Sequence, residues 1–432
     1  MGRWHAVLSL FLLASSFSAL AQEAGSGDPR ERKKEAQALA EQGPSAIPRL
    51  QALLRDPELE VRLEAVKSIV KVGRVESLDP LAEATRDNDP EIQVRATDGL
   101  VNFYLPGYVE TGLTASVRRV GAGIKGKFTD TNDQVIPAYI EVRPEIVQAL
   151  GKLARGGSSM ESRANAARAL GVLRGRAALP DLVQALRSND HQVLYECLIA
   201  FQKIGDPTVA SSFNYLLRDP IQKVQIAAIE TAGLLQNHEV LPDLVKILET
   251  SKRASVRRSA LYAIARMPGE ANRGLYFRYL EDEDQHFRAA ACEGLGRLRN
   301  AEDLPRLQSA FEREGKMLPR LALAFALVLL GMKEQAEFSP LQYVVNTLNS
   351  GSYQFVARAY LTELSRDSHV LQVLNRMAPS GTKQEKIHLA QVLAVSGDES
   401  SLPPLEALSS DSQPEVAQAA LTALQTLKSR LL

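Results

Sequence analysis

The chain has 432 residues, with 51 basic and 51 acidic side chains and only 6% aromatic residues. A neutral chain lacks the basic footprint that general nucleic-acid binding requires, and its only tryptophan, Trp4, lies near the start. Alternating β-branched runs of useful length are absent, so the composition favours an all-α protein without nucleic acid as a partner.

The first 21 residues have the pattern of a secretory signal peptide. Arg3 precedes an apolar run from Ala6 to Phe17, which is followed by the small-residue sequence Ala19-Leu20-Ala21. The run is shorter than the about 20 apolar residues that span a bilayer, and an uncleaved membrane anchor is the alternative. The sequence therefore predicts export to the periplasm or the extracellular space, with no stable membrane span after cleavage.

Residues 22–47 are predicted to form a linker, up to Pro29, and then a polar capping helix over Arg30–Gln42. The first repeat follows over residues 48–73. Its apolar residues recur at helical spacing on both sides of Asp56-Pro57, and Gly73 ends the second helix. Neither short helix can bury its apolar face alone, so the unit must stack on copies of itself.

The same unit recurs along the chain at nearly constant spacing. Arg95 follows Arg62 by 33 residues, and Arg257, Arg288 and Arg320 follow one another by 31 and 32. These residues, with the recurring Asp-Pro and Leu-Pro dipeptides, resemble HEAT repeats, in particular the short bacterial kind first named from phycobilisome lyases. The resemblance covers roughly residues 48–104 and 144–430 in about eleven copies. It implies a right-handed α-solenoid, which we treat as one domain over residues 48–432.

The resemblance also implies a structural ladder. In HEAT proteins an aspartate between the two helices and an arginine in the second helix bond to neighbouring repeats. By resemblance, the ladder residues here are Asp56 with Arg62, Asp89 with Arg95, and Asp282 with Arg288. Leu194, Gln225 and Ala417 stand where the family has arginine, so those copies are expected to lack the ladder.

Residues 105–143 break the period and form an insertion. Insertions in repeat arrays map to loops on one face, frequently the binding face. This insertion carries four bases and no acid between residues 111 and 129. We call these four bases the insertion patch and predict that they bind a partner, for which their charge favours an acidic one: Arg118, Arg119, Lys125 and Lys127. The alternative is an ordinary solvated face.

Three motifs in the chain come close to known ligand sites without completing them. The glycines of residues 121–126 match a dinucleotide-binding pattern and nearly a P-loop, but no strand-turn-helix unit surrounds them. Residues 130–141 resemble a calcium loop in which Val135 replaces the required glycine. The histidines show no zinc-ligand spacing, and we expect Cys197 and Cys292 to be buried free thiols. We therefore predict no cofactor, no metal and no catalytic residue.

Three functions remain open at this point. The first is an exported, non-catalytic scaffold that binds a protein or peptide along its repeats. The second is an enzyme or enzyme subunit, similar to the lyase-type HEAT proteins, with its chemistry in the 105–143 insertion. The third is an envelope element that binds an anionic polymer through the insertion patch. HEAT-like deoxyhypusine hydroxylases bind metal through several paired His-Glu dipeptides. This sequence has one such dipeptide, His238-Glu239, which does not match that enzyme class.

Overall fold

The computed structural model describes residues 27–108 and 134–432, and within these ranges it contains helices and no β-strand. The predicted all-α class is thus confirmed. The α-helices are α1 Pro29–Leu39, α2 Ile47–Leu53, α3 Leu59–Val72, α4 Leu78–Ala84, α5 Pro90–Tyr104, α6 Pro144–Gly156, α7 Met160–Val172, α8 Leu179–Ala185, α9 His191–Ile204, α10 Gln222–Leu234, α11 Leu241–Thr250, α12 Ala254–Arg266, α13 Arg273–Tyr279, α14 Gln285–Leu298, α15 Leu304–Arg313, α16 Met317–Leu329, α17 Pro340–Asn346, α18 Gln354–Leu364, α19 Ser368–Met377, α20 Lys383–Ser396, α21 Leu402–Ser409 and α22 Pro414–Leu431.

The helices begin and end where local chemistry requires. At α5 the carboxylate of Asp89 accepts hydrogen bonds from the backbone N–H groups of Glu91 and Ile92, at 2.9 and 3.1 Å. Pro90 fills the first helical position, where a missing N–H costs nothing. At the end of α3, Gly73 takes a left-handed conformation with φ of 56°, which glycine adopts without steric strain.

After the cap formed by α1 and the 3₁₀ segment Ala40–Ala46, the described elements pair into successive two-helix repeats. In most pairs the first helix is shorter than the second, although α6 and α7 are of equal length, and the second carries most of the buried small apolar residues. The pairs are α2/α3, α4/α5, α6/α7, α8/α9, the 3₁₀ segment Pro207–Arg218 with α10, α11/α12, α13/α14, α15/α16, α17/α18, α19/α20 and α21/α22.

The sequence predicts one domain over residues 48–432, and the structure groups the helices into two compact units. The described part of the first unit comprises residues up to Tyr108, Gln134 and Val142–Ala200. The second comprises Val135–Glu141 and Phe201–Leu432. The end of the insertion is therefore grouped with the second unit, whereas the helix that follows it belongs to the first.

In the second unit, α14 and α16 pack at unusually short range. A Cβ added to Gly296 would lie only 2.6 Å from the Cα of Ala326, so glycine is required at this crossing. The small residues of α14 let the backbones approach, and α16 is buried over almost its whole length. Cys292, on α14, and Cys197, on α9, are both buried free thiols.

Candidate functional site

The insertion patch of Arg118, Arg119, Lys125 and Lys127 lies in residues 109–133, outside the described part of the chain, as do the glycines of residues 121–126. The flanks of the insertion are described. The backbone N–H of Arg143 donates to the hydroxyl of Tyr104 at 3.2 Å, and its guanidinium reaches Asp79 at 2.7 Å. Residues 104 and 143 are thus held together inside the first unit.

Charged residues at corresponding positions of several described repeats form a ladder of contacts between neighbouring repeats. We define a rung by two positions in neighbouring repeats. The first position is the fourth residue of a second helix or of the capping helix α1. The second position is the residue that lies three positions before the first residue of the next second helix. A closed rung is one in which a cation at the first position pairs with a carboxylate at the second. The closed rungs are Arg32–Asp56, Arg62–Asp87, Arg288–Glu314 and Lys386–Asp411.

The arginine rungs share one geometry. In the Arg288–Glu314 rung, Nε donates to Oε2 at 2.8 Å and Nη2 donates to Oε1 at 3.2 Å. Arg32 and Arg62 use the same two nitrogens. A planar guanidinium matches a carboxylate in this bidentate way, which fixes direction as well as distance. Each closed rung therefore ties one repeat to the next.

Within a repeat, the aspartate and arginine six residues apart meet through the backbone instead. Nη1 of Arg62 donates to the carbonyl of Asp56 at 3.0 Å, and Nη1 of Arg288 donates to the carbonyl of Asp282 at 2.8 Å. The carboxylate of Asp282 accepts the backbone N–H of Asp284 at 2.8 Å. One arginine thus fastens the turn of its own repeat with Nη1 and the following repeat with Nε and Nη2.

Asp89 and Arg95, expected in the ladder, stand outside it. Asp89 caps its own helix, and Arg95 pairs with Glu91 one turn away on the same helix, at 2.6 Å. Pro90 is the first residue of α5, whereas Pro57 precedes its helix by two residues, so the Asp-Pro of the second repeat is shifted by two positions. Asp87 takes the rung position instead.

The rung carboxylates of Asp56, Glu314 and Asp411 have lowered pKa values. Burial alone would raise the pKa of Glu314, but the hydrogen bonds from Arg288 and from the backbone N–H of Lys316 hold it below its ordinary value. The same balance of burial against the Arg32 hydrogen bond and the Glu58 N–H lowers the pKa of Asp56. Because these acids are ionised and paired in the folded chain, they hold the repeats together at neutral pH.

A second polar cluster, missed in the sequence, lies in the second unit between α14 and α18. The hydroxyl of Tyr360 donates to Glu293 at 2.6 Å, and Arg297 pairs with Glu293 at 2.8 Å and with Glu363 at 2.9 Å. The Arg297 guanidinium lies over the ring of Phe325 on α16, 5.0 Å from its centroid. We call these four polar residues the bridging cluster, because it connects α14 with α18 across the buried helix α16.

The bridging cluster satisfies its own charges and resembles a structural bridge more than a reaction centre. Burial raises the pKa of Tyr360, and the nearby charge of Glu293 raises it further, so this phenol stays protonated and donates. Among the residues that the structure describes, no group of three or more His, Cys, Asp or Glu side chains is placed to hold a metal. Over residues 27–108 and 134–432 no helix has the length and apolarity that crossing a bilayer requires.

Comparison with known proteins agrees with this architecture. The family model for HEAT repeats matches residues 17–100, 147–213 and 254–328, just over half of the chain. The predicted family is thus confirmed. No curated protein matches the sequence.

Solved structures of helical-repeat proteins are similar to the chain only at low identity. The karyopherin Kap121p bound to the extreme C-terminus of the protein phosphatase Cdc14p is 12% identical, with a TM-score of 0.42, over 97% of this chain and 58% of that one. The complex of CpcE and CpcF of phycocyanin lyase from a Nostoc species is 18% identical, with a TM-score of 0.33, over 69% and 91%. Human deoxyhypusine hydroxylase is 18% identical, with a TM-score of 0.28, over 66% and 97%.

Proposed function

Because the chain belongs to the HEAT-repeat family, we propose that it is an exported, non-catalytic scaffold that binds a protein or peptide partner. Stacked helical repeats provide long surfaces for such partners. In the described residues, the rungs and the bridging cluster already occupy many of the buried charges in contacts between repeats. A specific binding role falls more naturally on the segment that breaks the period.

The observation that carries the proposal is the way the insertion leaves the repeats. Tyr104 and Arg143 hold its two ends together, and Asp79 pairs with Arg143 from the second repeat. Repeats that stack directly need no such connection, because each is stabilised by its nearest neighbours. An insertion fixed at its base therefore serves something other than stacking, and its four bases favour an acidic partner.

Replacing Arg118, Arg119, Lys125 and Lys127 with glutamine tests this proposal. We expect capture of the partner from an envelope fraction, followed by cross-linking and mass spectrometry, to weaken strongly as ionic strength rises in the wild type and to be nearly lost in the variant. Helicity and melting temperature should change little. The matched control removes the same charge from regular repeats by replacing the exposed Lys252, Arg253, Arg278 and Arg306 with glutamine.

Equal loss of capture in the control would show that net charge, not the insertion, governs binding. Unchanged capture in the insertion variant at low salt would move the partner onto the repeats. Salt-sensitive retention on an anionic polysaccharide, with no protein captured, would favour the envelope-element alternative. Export is tested separately, by cell fractionation and by sequencing the amino terminus of the mature chain, where a start near residue 22 is expected.

A further inference from the structure

One rung of the second unit has a cation and no carboxylate. Arg320 is the fourth residue of α16, and the residue three positions before the next second helix, α18, is Gly351. Within the described residues Arg320 makes no ion pair, and its Nε is buried without an acceptor. Nε is the atom that donates to the carboxylate in the closed rung of Arg288. We call Arg320 and Gly351 the open rung.

Two other rung arginines make no ion pair in the described chain and use Nε differently, although one of them, Arg257, has a carboxylate, Asp282, at the second position of its rung. Nε of Arg163 donates to the carbonyl of Ala154 at 3.2 Å, and Nε of Arg257 donates to the carbonyl of Leu248 at 3.0 Å. Those guanidinium groups are fastened to their own repeats. Nε of Arg320 has no such acceptor in the described chain, so its N–H group makes no hydrogen bond.

Two aromatic rings hold the Arg320 guanidinium in position. Its central carbon lies 5.0 Å from the ring centroid of Phe311 and 5.2 Å from that of Tyr343, and the two rings meet edge to face. Such contacts favour a cation and restrict its rotation. Nε is buried and has no acceptor. The terminal Nη1 and Nη2 groups also have no acceptor in the described chain but are not buried, so they reach the surface.

The surroundings leave space for an outside group. Gly351 is exposed, its φ lies outside the left-handed region, and a Cβ added there would meet no atom within 4 Å. The hydroxyl of Ser350 lies 3.7 Å from the sulfur of Met317, which places this turn against the start of α16. Met317 is 45% exposed, whereas the ring of Phe355 contacts Arg358 and His388. The open rung thus combines a held cation with one accessible apolar side chain.

We propose that the open rung binds a carboxylate side chain of an acidic polypeptide segment. The carboxylate pairs with the terminal nitrogens Nη1 and Nη2 of Arg320, because these reach the surface and the buried Nε does not. Met317 contacts an apolar residue beside the acid. The exposed ammonium of Lys316, which makes no ion pair in the described chain, adds attraction for a second acid. This site lies in the second unit and does not depend on the insertion patch.

Titration of the full chain with a fluorescently labelled hexaglutamate peptide, followed by anisotropy, tests the proposal. Arg320→Met and Gly351→Asp should each weaken binding about tenfold, the first by removing the cation and the second by supplying an internal carboxylate. Gly351→Asp should also raise the unfolding midpoint, because the new aspartate pairs with Arg320. A lowered midpoint would instead show that the substitution destabilises the repeat. Two controls should bind the peptide like the wild type. Gly351→Asn introduces a side chain that is isosteric with aspartate but uncharged, and Arg313→Met removes an exposed charge from α15.

Three outcomes would overturn the proposal. If Arg313→Met weakened peptide binding as much as Arg320→Met, net charge alone would explain the loss. Unchanged binding in Gly351→Asp would show that the peptide binds at another site. Competition by sodium sulfate as strong as that by unlabelled hexaglutamate, at matched ionic strength, would show that the site takes any small anion. The titration uses the full chain in which Arg118, Arg119, Lys125 and Lys127 are replaced by glutamine, because the acidic probe would otherwise also bind the insertion patch. The outcomes are then independent of whether the native partner binds that patch.

Discussion

The closed rung of Arg288 and the open rung of Arg320 lie one repeat apart in the second unit. Both arginines are the fourth residue of a second helix, and the difference is the residue in the next turn, Glu314 in one case and Gly351 in the other. In the closed rung the guanidinium meets a carboxylate, and both side chains are largely buried. In the open rung the guanidinium lies against two rings, and its Nε has no acceptor.

The comparison shows that the helix position alone does not decide what a repeated arginine does. In these two rungs the residue 26 or 31 positions later differs, and the arginine is a structural tie in one and an available cation in the other. A carboxylate at that position does not suffice by itself, because Asp282 stands 25 positions after Arg257 and makes no ion pair with it. Candidate binding sites can therefore be sought where a rung cation has neither an ion pair nor a backbone acceptor.

The largest expected effect comes from replacing each arginine with methionine, which keeps most of the side-chain volume. Arg288→Met leaves Glu314 largely buried without its partner, which costs on the order of 1–3 kcal/mol in the free energy of unfolding. Arg320→Met leaves no acid unpaired and keeps an apolar contact with the two rings, so its effect should stay within about 0.5 kcal/mol.

Urea denaturation of the two variants beside the wild type measures this difference. Equal destabilisation by both would mean that stacking on Phe311 and Tyr343, not the carboxylate, accounts for the contribution of a rung arginine. Because the chain forms two compact units, the unfolding curve should be followed by probes in the second unit, such as solvent access to the buried thiol of Cys292.

A smaller effect is expected in the pH dependence. The lowered pKa of Glu314 means that its contribution to stability is present above its unfolded pKa, about 4.3, and is lost as the pH falls through the still lower folded value. Arg288→Met should therefore flatten the loss of stability below about pH 4.3, since the benefit of ionising Glu314 has already been removed.

Arg320→Met should leave that acid limb unchanged, because Arg320 makes no ion pair with a carboxylate in the described chain. The measurement is the unfolding midpoint in urea at a series of pH values from neutral down to the acid limb. A flattened limb in Arg320→Met would mean that an acid senses this arginine after all.

Much of the fold could be predicted from the sequence because each repeat is local. The apolar spacing, the Asp56-Pro57 turn and Gly73 lie within 26 consecutive residues, 48–73, and fix both helices of the first repeat. Asp87 could have been recognised as a rung residue by counting three positions back from the first residue of α5, Pro90. Counting from the Asp-Pro dipeptide of this repeat gives Asp89 instead. The capping Arg32 could have been found in the same way, since it is the fourth residue of α1.

The bridging cluster could not be predicted in this way. Arg297 and Glu363 are 66 residues apart and belong to repeats separated by a third one. Their contact depends on how deeply α16 is buried, which follows from the short approach of Gly296 to Ala326. Such contacts follow from packing depth, which a pattern of single-repeat spacings does not contain. The insertion patch, which lies outside the described residues, stays a prediction.

The smallest expected effect separates the ladder as observed from the ladder as first counted. Arg95 pairs only with Glu91 on its own helix in the described chain, and the Glu91 side chain is about half exposed, at 49%. Exposed pairs of this kind contribute about 0.3–0.5 kcal/mol, so Arg95→Ala should barely move the melting curve. Arg62→Ala should lower it clearly, because Asp87 would lose both of its hydrogen bonds from Nε and Nη2 in a site that is largely buried. The two variants remove the same side chain from corresponding helices of neighbouring repeats, so each serves as the control for the other. A melting shift for Arg95→Ala as large as that for Arg62→Ala would mean that Arg95 makes a contact between repeats in solution and that the register drawn from Asp87 is displaced by two residues.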